Sequence, residues 1–172
     1  LTRLINDISR ASRLDAETAR AEKSAVDLLP LLDAAIIHCL FEVSAPWEKI
    51  RLDAGSNKTL RVLGNDTQLY QIMQNLLGNA LSFVTADGAV DVVLERTDSH
   101  AVIHIDNDGP QIPESKLEAI FARFYTERPA NEKFGEHSGL GLSISRQIAQ
   151  AHGGSLTARN LRHVSGPLKD QP

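Results

Sequence analysis

The chain has 172 residues, about one domain and two at most. Its 18 basic and 22 acidic side chains leave a net charge of −4 with histidine neutral, which argues against a dedicated nucleic-acid binder with its basic balance. The lone Cys39 excludes an internal disulfide scaffold and a cysteine-rich zinc module, no apolar run reaches the ~18 residues of a membrane span, and no signal peptide precedes the first helical pattern.

The chain therefore reads as a soluble domain of a reducing compartment, or as a piece of something larger. With five Phe, two Tyr and one Trp, its core must be mainly aliphatic. Leu1, Leu4, Ile5, Ile8 and Ala11 recur at helical spacing, and Ala, Glu and Arg carry that pattern to about Lys23. The apolar stripe is narrow and begins without an N-cap. It fits either an amphipathic helix docked on its own domain or part of a dimerising helical hairpin. Val26-Asp27-Leu28 reads as a short strand, and Pro30 is placed to open a helix. Leu31, Leu32, Ala35, Ile36, Cys39 and Leu40 form one face of that helix, which Pro46 ends.

Short strands are expected around Ile50–Ala54 and Leu60–Leu63, and a long helix from Asp66 to Val84. Ala89–Thr97 and His100–Asn107 alternate like a hairpin joined through Asp98-Ser99. A Gly- and Pro-rich loop, a short helix over Glu114–Phe121, a polar stretch from Arg128 to Ser138, a helix over Gly139–Ala151 and a strand over Ser155–Asn160 complete the chain. Helices and antiparallel strands come in clusters, which predicts an α+β fold, a two-layer sandwich, over a doubly wound sheet.

Three constellations carry candidate chemistry. On the long helix, Leu69, Ile72, Met73, Leu76, Leu77 and Ala80 form an apolar stripe. Gln68, Gln71, Asn75, Asn79 and Ser82 form an amide-rich line. Asn75 and Asn79 are one turn apart, so both amides reach one point beside the helix. That arrangement suits a hard cation shared with phosphate oxygens, or simply a solvated polar face. In the hairpin's second strand, Ala101, Ile103, Ile105 and Asn107 share the face expected to be buried. An amide ending that face can read a purine edge, or can cap the turn that follows. In Gly135-Glu136-His137-Ser138-Gly139-Leu140-Gly141-Leu142, glycines precede a helix. Backbone N–H groups there can approach an anion, helped by the helix N-terminus. It is neither a Walker motif nor a dinucleotide GxGxxG.

Taken in order, the amide pair, the Asn-x-Gly loop after a strand, Phe121–Tyr125, the polar stretch and Gly-Leu-Gly-Leu resemble the ATP-binding domain of two-component sensor histidine kinases. That family shares the Bergerat nucleotide fold with gyrase-type, mismatch-repair and heat-shock chaperone ATPases. The resemblance covers about Val26 to Asn160, and the subgroup it suggests is the alphaproteobacterial envelope- or acid-sensing kinases. It implies two parts. Residues 1–25 would be the end of the dimerisation and histidine-phosphotransfer hairpin, and residues 26–172 the ATP-binding catalytic domain.

By the same resemblance ATP and Mg²⁺ are the cofactors, with Asn79 and Asn75 as the metal residues, Asn79 holding the ion and Asn75 near the metal-bound phosphates. Asn107 takes the adenine-reading position, with Gly109 and Ile112 in the same loop. Phe121, Phe124 and Tyr125 match the aromatic motif that anchors the lid. Arg128 and Lys133 fall within the lid as phosphate contacts, and His137, Ser138, Gly139, Leu140, Gly141 and Leu142 form the glycine box. Four departures stand out. Asn107 replaces the family's Asp, Gln111 a glycine, Ser82 a phosphate-binding Lys or Arg, and His137 the first glycine of the box.

None of the six histidines is followed by an acidic residue and then Pro. The resemblance thus places the phosphoacceptor upstream of Leu1, so that self-phosphorylation of these 172 residues is not expected. The implied activity is transfer of the ATP γ-phosphate to that histidine, for relay to an aspartate on a response regulator receiver domain. The implied setting is a homodimer formed through the N-terminal helix, in a cytoplasmic domain of an inner-membrane sensor. Alternatives are an ATPase or anti-sigma-type serine kinase of the same fold, or a non-enzymatic docking module with a degenerate pocket.

Overall fold

A computed structural model describes residues 21–56, 59–126 and 139–161. Of the expected N-terminal hairpin helix only residues 21–25 are described, and they are not helical, since Ser24 and Ala25 already open a strand. Residues 1–20, the candidate contacts Arg128, Lys133, His137 and Ser138, and the tail beyond Leu161 lie outside the described residues.

Strand β1 (Ser24–Asp27) runs directly into helix α1 (Leu28–Glu42). The junction is set by Asp27, whose Oδ1 accepts the Leu29 N–H at 3.3 Å and the Leu60 N–H at 3.1 Å. Leu28, read from sequence as strand, is thereby the first helical residue, with Pro30 in the opening turn, where its missing N–H costs nothing. After a 3-10 turn come β2 (Ile50–Asp53), β3 (Arg61–Gly64) and helix α2 (Asp66–Phe83). Asn65 caps α2 by accepting the Gln68 N–H. At the other end Lys49 donates to the carbonyls of Thr85 and Ala86 at 2.9 and 2.8 Å. The hairpin strands are β4 (Val90–Arg96) and β5 (Ala101–Asn107), and α3 spans Gly141–Ala151.

The strands make two small sheets. β1 pairs antiparallel with β3, while β2, β4 and β5 form a mixed sheet with β2 parallel to β4 and β4 antiparallel to β5. Register explains how the mixed sheet is covered. Ile50 lies opposite Val90, Leu52 opposite Val92, Val92 opposite Ile105 and Leu94 opposite Ile103. One face is thus continuously aliphatic, and the helices supply Leu32, Ala35, Cys39, Met73, Leu77 and Ala80 to it. Leu32 and Leu77 are fully buried, each contributing on the order of 1.5–3 kcal/mol. The core is aliphatic as composition requires, and the two-layer α+β architecture agrees with the sequence reading. Burial pushes the Cys39 thiol up to about 11, with Glu42 adding to the shift, so it behaves as a small apolar side chain.

Further expectations are corrected. Glu114–Phe121 is not one helix but two 3-10 turns, Glu114–Lys116 and Ala119–Phe121. Ser155–Asn160 has no ladder partner among the described residues, although burial still alternates along it. A side chain does the tethering instead. Asn160 Oδ1 accepts the Ile112 N–H at 3.0 Å and its Nδ2 donates to the Ile112 carbonyl at 2.6 Å. Ile72 and Leu76, expected in the core stripe, are half-buried on the side of α2 that faces a cavity.

The outer face of the mixed sheet is polar. Arg51 forks onto Asp91 with two 2.6 Å contacts, and Asp106 lies directly opposite Asp91. Burial, reinforced by Asp91, raises the Asp106 carboxyl above the usual range, while His104 and Arg159 oppose the shift. A raised folded-state value means stability is present below the unfolded pKa and lost as pH rises through the folded one. Asp106→Asn should therefore raise the melting temperature at pH 7. The gain should shrink toward zero once pH falls below the ordinary carboxylate range. Thermal melts of both proteins across that range check it.

Candidate nucleotide site

Helix α2 stands between the core and the cavity. Met73, Leu77, Ala80 and Leu81 are buried, and Asn75 and Asn79 project from another side, one turn apart. Asn75 is half-buried, and its Nδ2 donates to the Gly141 carbonyl and to Ser145 Oγ, both at 3.2 Å. One amide thus fastens α2 to the first turns of α3. Among the described residues the Asn79 side chain has no hydrogen-bond partner, and it lines the cavity. Ser82 turns back on its own helix, its Oγ donating to the Asn79 carbonyl at 2.8 Å.

The start of α3 is open. Leu140 occupies the cap position without a side-chain cap, and no acidic residue sits in the first turn. The leading N–H groups are therefore available to an anion, and the helix dipole favours one. Helix α3 begins two residues later than expected because Gly139 has φ +66°. A Cβ at Gly139 would lie 2.8 Å from the Phe124 carbonyl carbon and 2.8 Å from the Tyr125 oxygen. Phe124 faces it with φ +65°, donating its N–H to the Gly139 carbonyl at 3.0 Å. The chain on either side of residues 127–138 is thus pinned backbone to backbone.

The strand-end loop is equally constrained. Asp108 takes the turn role weighed for Asn107. Its carbonyl accepts the Thr85 N–H at 2.8 Å, and its Oδ2 accepts the Ala89 N–H at 3.2 Å. Asn107 keeps the phase of the inward face of β5, but it is exposed rather than buried, because it lies past Ile105, the last of these residues packed on the core. It lines the cavity. At Gly109 a Cβ would come within 2.5 Å of the Phe83 carbonyl oxygen, so this loop closes tightly over the end of α2.

Asn75, Asn79, Ser82, Asn107, Gly109, Ile112, Phe121, Tyr125, Gly139, Gly141 and Leu142 all line one cavity; Leu140 does not, being buried beneath it. The cavity continues beneath residues 154–161 and along β5, which makes it far larger than the roughly 300–1,000 Å³ of an ordinary ligand pocket.

Three supporting residues escaped the sequence reading. Ser145, fully buried, receives the Asn75 amide; a serine on the apolar side of α3 was the available signal. Arg146 stacks 4.2 Å over the Phe121 ring and forks onto Glu118, a link across 28 positions that no local pattern shows. His152 has both ring nitrogens engaged. Nε2 accepts the Asn65 N–H at 3.0 Å and Nδ1 lies 2.8 Å from the Ile148 carbonyl. Gly139→Ala is expected to cost at least about 1–2 kcal/mol of stability from its left-handed backbone alone, read as a lower urea midpoint.

The fold agrees with comparison to known proteins. A family profile described as histidine kinase-, DNA gyrase B- and HSP90-like ATPase matches residues 64–167. Sensor protein ChvG of Agrobacterium fabrum is 45% identical over 168 residues, covering 94% of this chain and 28% of its own length. The chain thus spans under a third of that relative. The catalytic domain of histidine kinase ThkA superposes with a TM-score of 0.69 at 28% identity, over 83% of this chain and 90% of that one. Full-length ShkA in complex with AMPPNP gives a TM-score of 0.68 at 25% identity, over 88% of this chain and 31% of that one. With its profile match covering more than half the sequence, the chain belongs to the family of histidine kinase-, DNA gyrase B- and HSP90-like ATPases.

Proposed function

We propose that residues 26–172 are the ATP-binding catalytic domain of a sensor histidine kinase, preceded by the end of a dimerisation helix. The carrying observation is the Asn79 amide, without a hydrogen-bond partner among the described residues and one turn from the Asn75 side chain that touches Gly141 at the uncapped start of α3. A neutral amide oxygen and the uncapped N–H groups of α3 both border one cavity, a set of groups that fits Mg²⁺ and phosphate oxygens. Bound Mg–ATP would supply the transferable phosphoryl group and its neutralising cation.

This chain's own part is positioning and electrostatics, the main demands of phosphoryl transfer. Asn79 is the metal ligand and Asn75 holds the adjoining turn of α3 in place. The N–H groups of Gly141 and Leu142 receive phosphate oxygens. Asn107, Gly109 and Ile112 border the base, and Phe121 and Tyr125 support the lid, whose phosphate contacts would be Arg128 and Lys133, with His137 and Ser138 at its end.

The acceptor histidine is assigned to the longer protein. His152 has both nitrogens committed, His38 sits 3.3 Å from Glu42 on the surface of α1, and His104 lies on the outer sheet face near Glu95. On this reading the product phosphohistidine passes its phosphate to an aspartate of a response regulator. The intact protein is a homodimeric sensor of the inner membrane, with this domain on the cytoplasmic side. Among the described residues no helix is long and apolar enough to cross a membrane.

Calorimetric titration with ATP, with and without Mg²⁺, tests the assignment. Asn79→Ala should weaken Mg²⁺-dependent binding at least about tenfold, the scale of a hydrogen bond or ligand to a charged group, with the melting temperature of the free protein unchanged. Gly141→Ala should also weaken binding while folding normally, since its Cβ would meet Asn75 atoms only at 3.6–3.7 Å. Equal affinities in Asn79→Ala and wild type would remove the metal assignment.

A further inference from the structure

We infer that the base end of this cavity accepts guanine as well as adenine nucleotides, because the side chain assigned above to the purine edge, Asn107, is an amide with no hydrogen-bond partner among the described residues. This rests on the nucleotide site proposed above and concerns only its base selectivity.

Asn107 follows Ile105 and Ile103 on the inward face of β5 and opens into the cavity. Among the described residues no group bonds its amide, so neither orientation is fixed by a neighbour. The side chain is exposed at the end of β5, and only a glycine at 109 leaves it room, since an added Cβ there would fall 2.6 Å from Asn107 Nδ2.

The adjacent carboxylates are held in other directions: Asp108 Oδ2 accepts the Ala89 N–H at the turn, and Asp106 has the opposite strand parity, its Cα partner being Asp91. Asn107 therefore decides what that edge of the cavity offers. An amide presents a carbonyl acceptor and an NH₂ donor side by side, whereas a carboxylate only accepts. Adenine presents an amino donor at its six-position and guanine an acceptor oxygen there. In one orientation Asn107 accepts from the adenine amino group, and in the other it donates to the guanine oxygen. A carboxylate at 107 would serve the first and repel the second.

The test is calorimetric titration of the wild-type chain, Asn107→Asp and Asn107→Ser with Mg–ADP and Mg–GDP, after thermal melts establish that each variant folds. The wild type should bind both nucleotides with affinities within about tenfold. Asn107→Asp should shift the ratio toward ADP by about tenfold, the worth of one exchanged hydrogen bond. Asn107→Ser, whose hydroxyl also both donates and accepts, should keep a ratio near that of wild type. ADP binding with GDP excluded, at the same ratio in wild type and Asn107→Asp, overturns the inference and leaves the nucleotide site standing. Binding of neither nucleotide to folded wild type overturns the site and the inference together.

Discussion

Helix α2 must satisfy two demands with one set of side chains, and the rest of the structure follows from how it does so. Met73, Leu77, Ala80 and Leu81 seal it onto the sheet and α1. That seal fixes the helix's rotation, and with it the direction of Asn75 and Asn79. A slip of one residue would turn every side chain by about 100° and carry the amides away from α3. The Asn75 bonds to Gly141 and Ser145 then set where α3 begins relative to α2. Packing energy is in this sense what orients the polar site. A site built on two packed helices holds its geometry better than one carried by loops alone.

An anionic ligand on a chain of net charge −4 needs a source of positive potential, and beside Asn79 the start of α3 offers it from backbone N–H groups. The leading N–H groups of α3 carry a partial positive charge, and a divalent cation held at Asn79 would supply the rest. The nearby cation Arg146 is committed to Glu118 and the Phe121 ring, and so holds the aromatic turn instead of facing the cavity. The left-handed pair Phe124 and Gly139 pins the two ends of the intervening segment to each other at the rim. Backbone strain of this kind persists where the surroundings over-determine it, and it concentrates at functional sites.

Much of this was legible because two periods dominate the chain. The 3.6-residue pattern located α2, and the two-residue pattern located the β4–β5 hairpin and the parity of Asn107. Spacing also put Asn75 and Asn79 on one side of a helix. What failed depended on contacts between distant residues. Leu28 reads as strand until Asp27 is seen bridging Leu29 and Leu60. Ser155–Asn160 alternates like a strand, yet its anchor is a side-chain amide on Ile112. Asn107 has the parity of a buried residue but lies past the end of the core, and strand length, not alternation, decides that. The engagement of His152 with Asn65 joins residues 87 positions apart, and nothing in either local sequence announces it.

The central claim is that one cavity, bounded by Asn79, the start of α3 and the end of β5, receives Mg–ATP. The most direct measurement is a ¹⁵N–¹H correlation spectrum of the chain titrated with Mg–ADP. The account predicts the largest shifts at the backbone amides of Gly141 and Leu142 and at the side-chain amides of Asn79 and Asn107, with Arg51 and Glu95 on the outer sheet face unmoved. Shifts confined to the outer face, or none at saturating nucleotide, would contradict it.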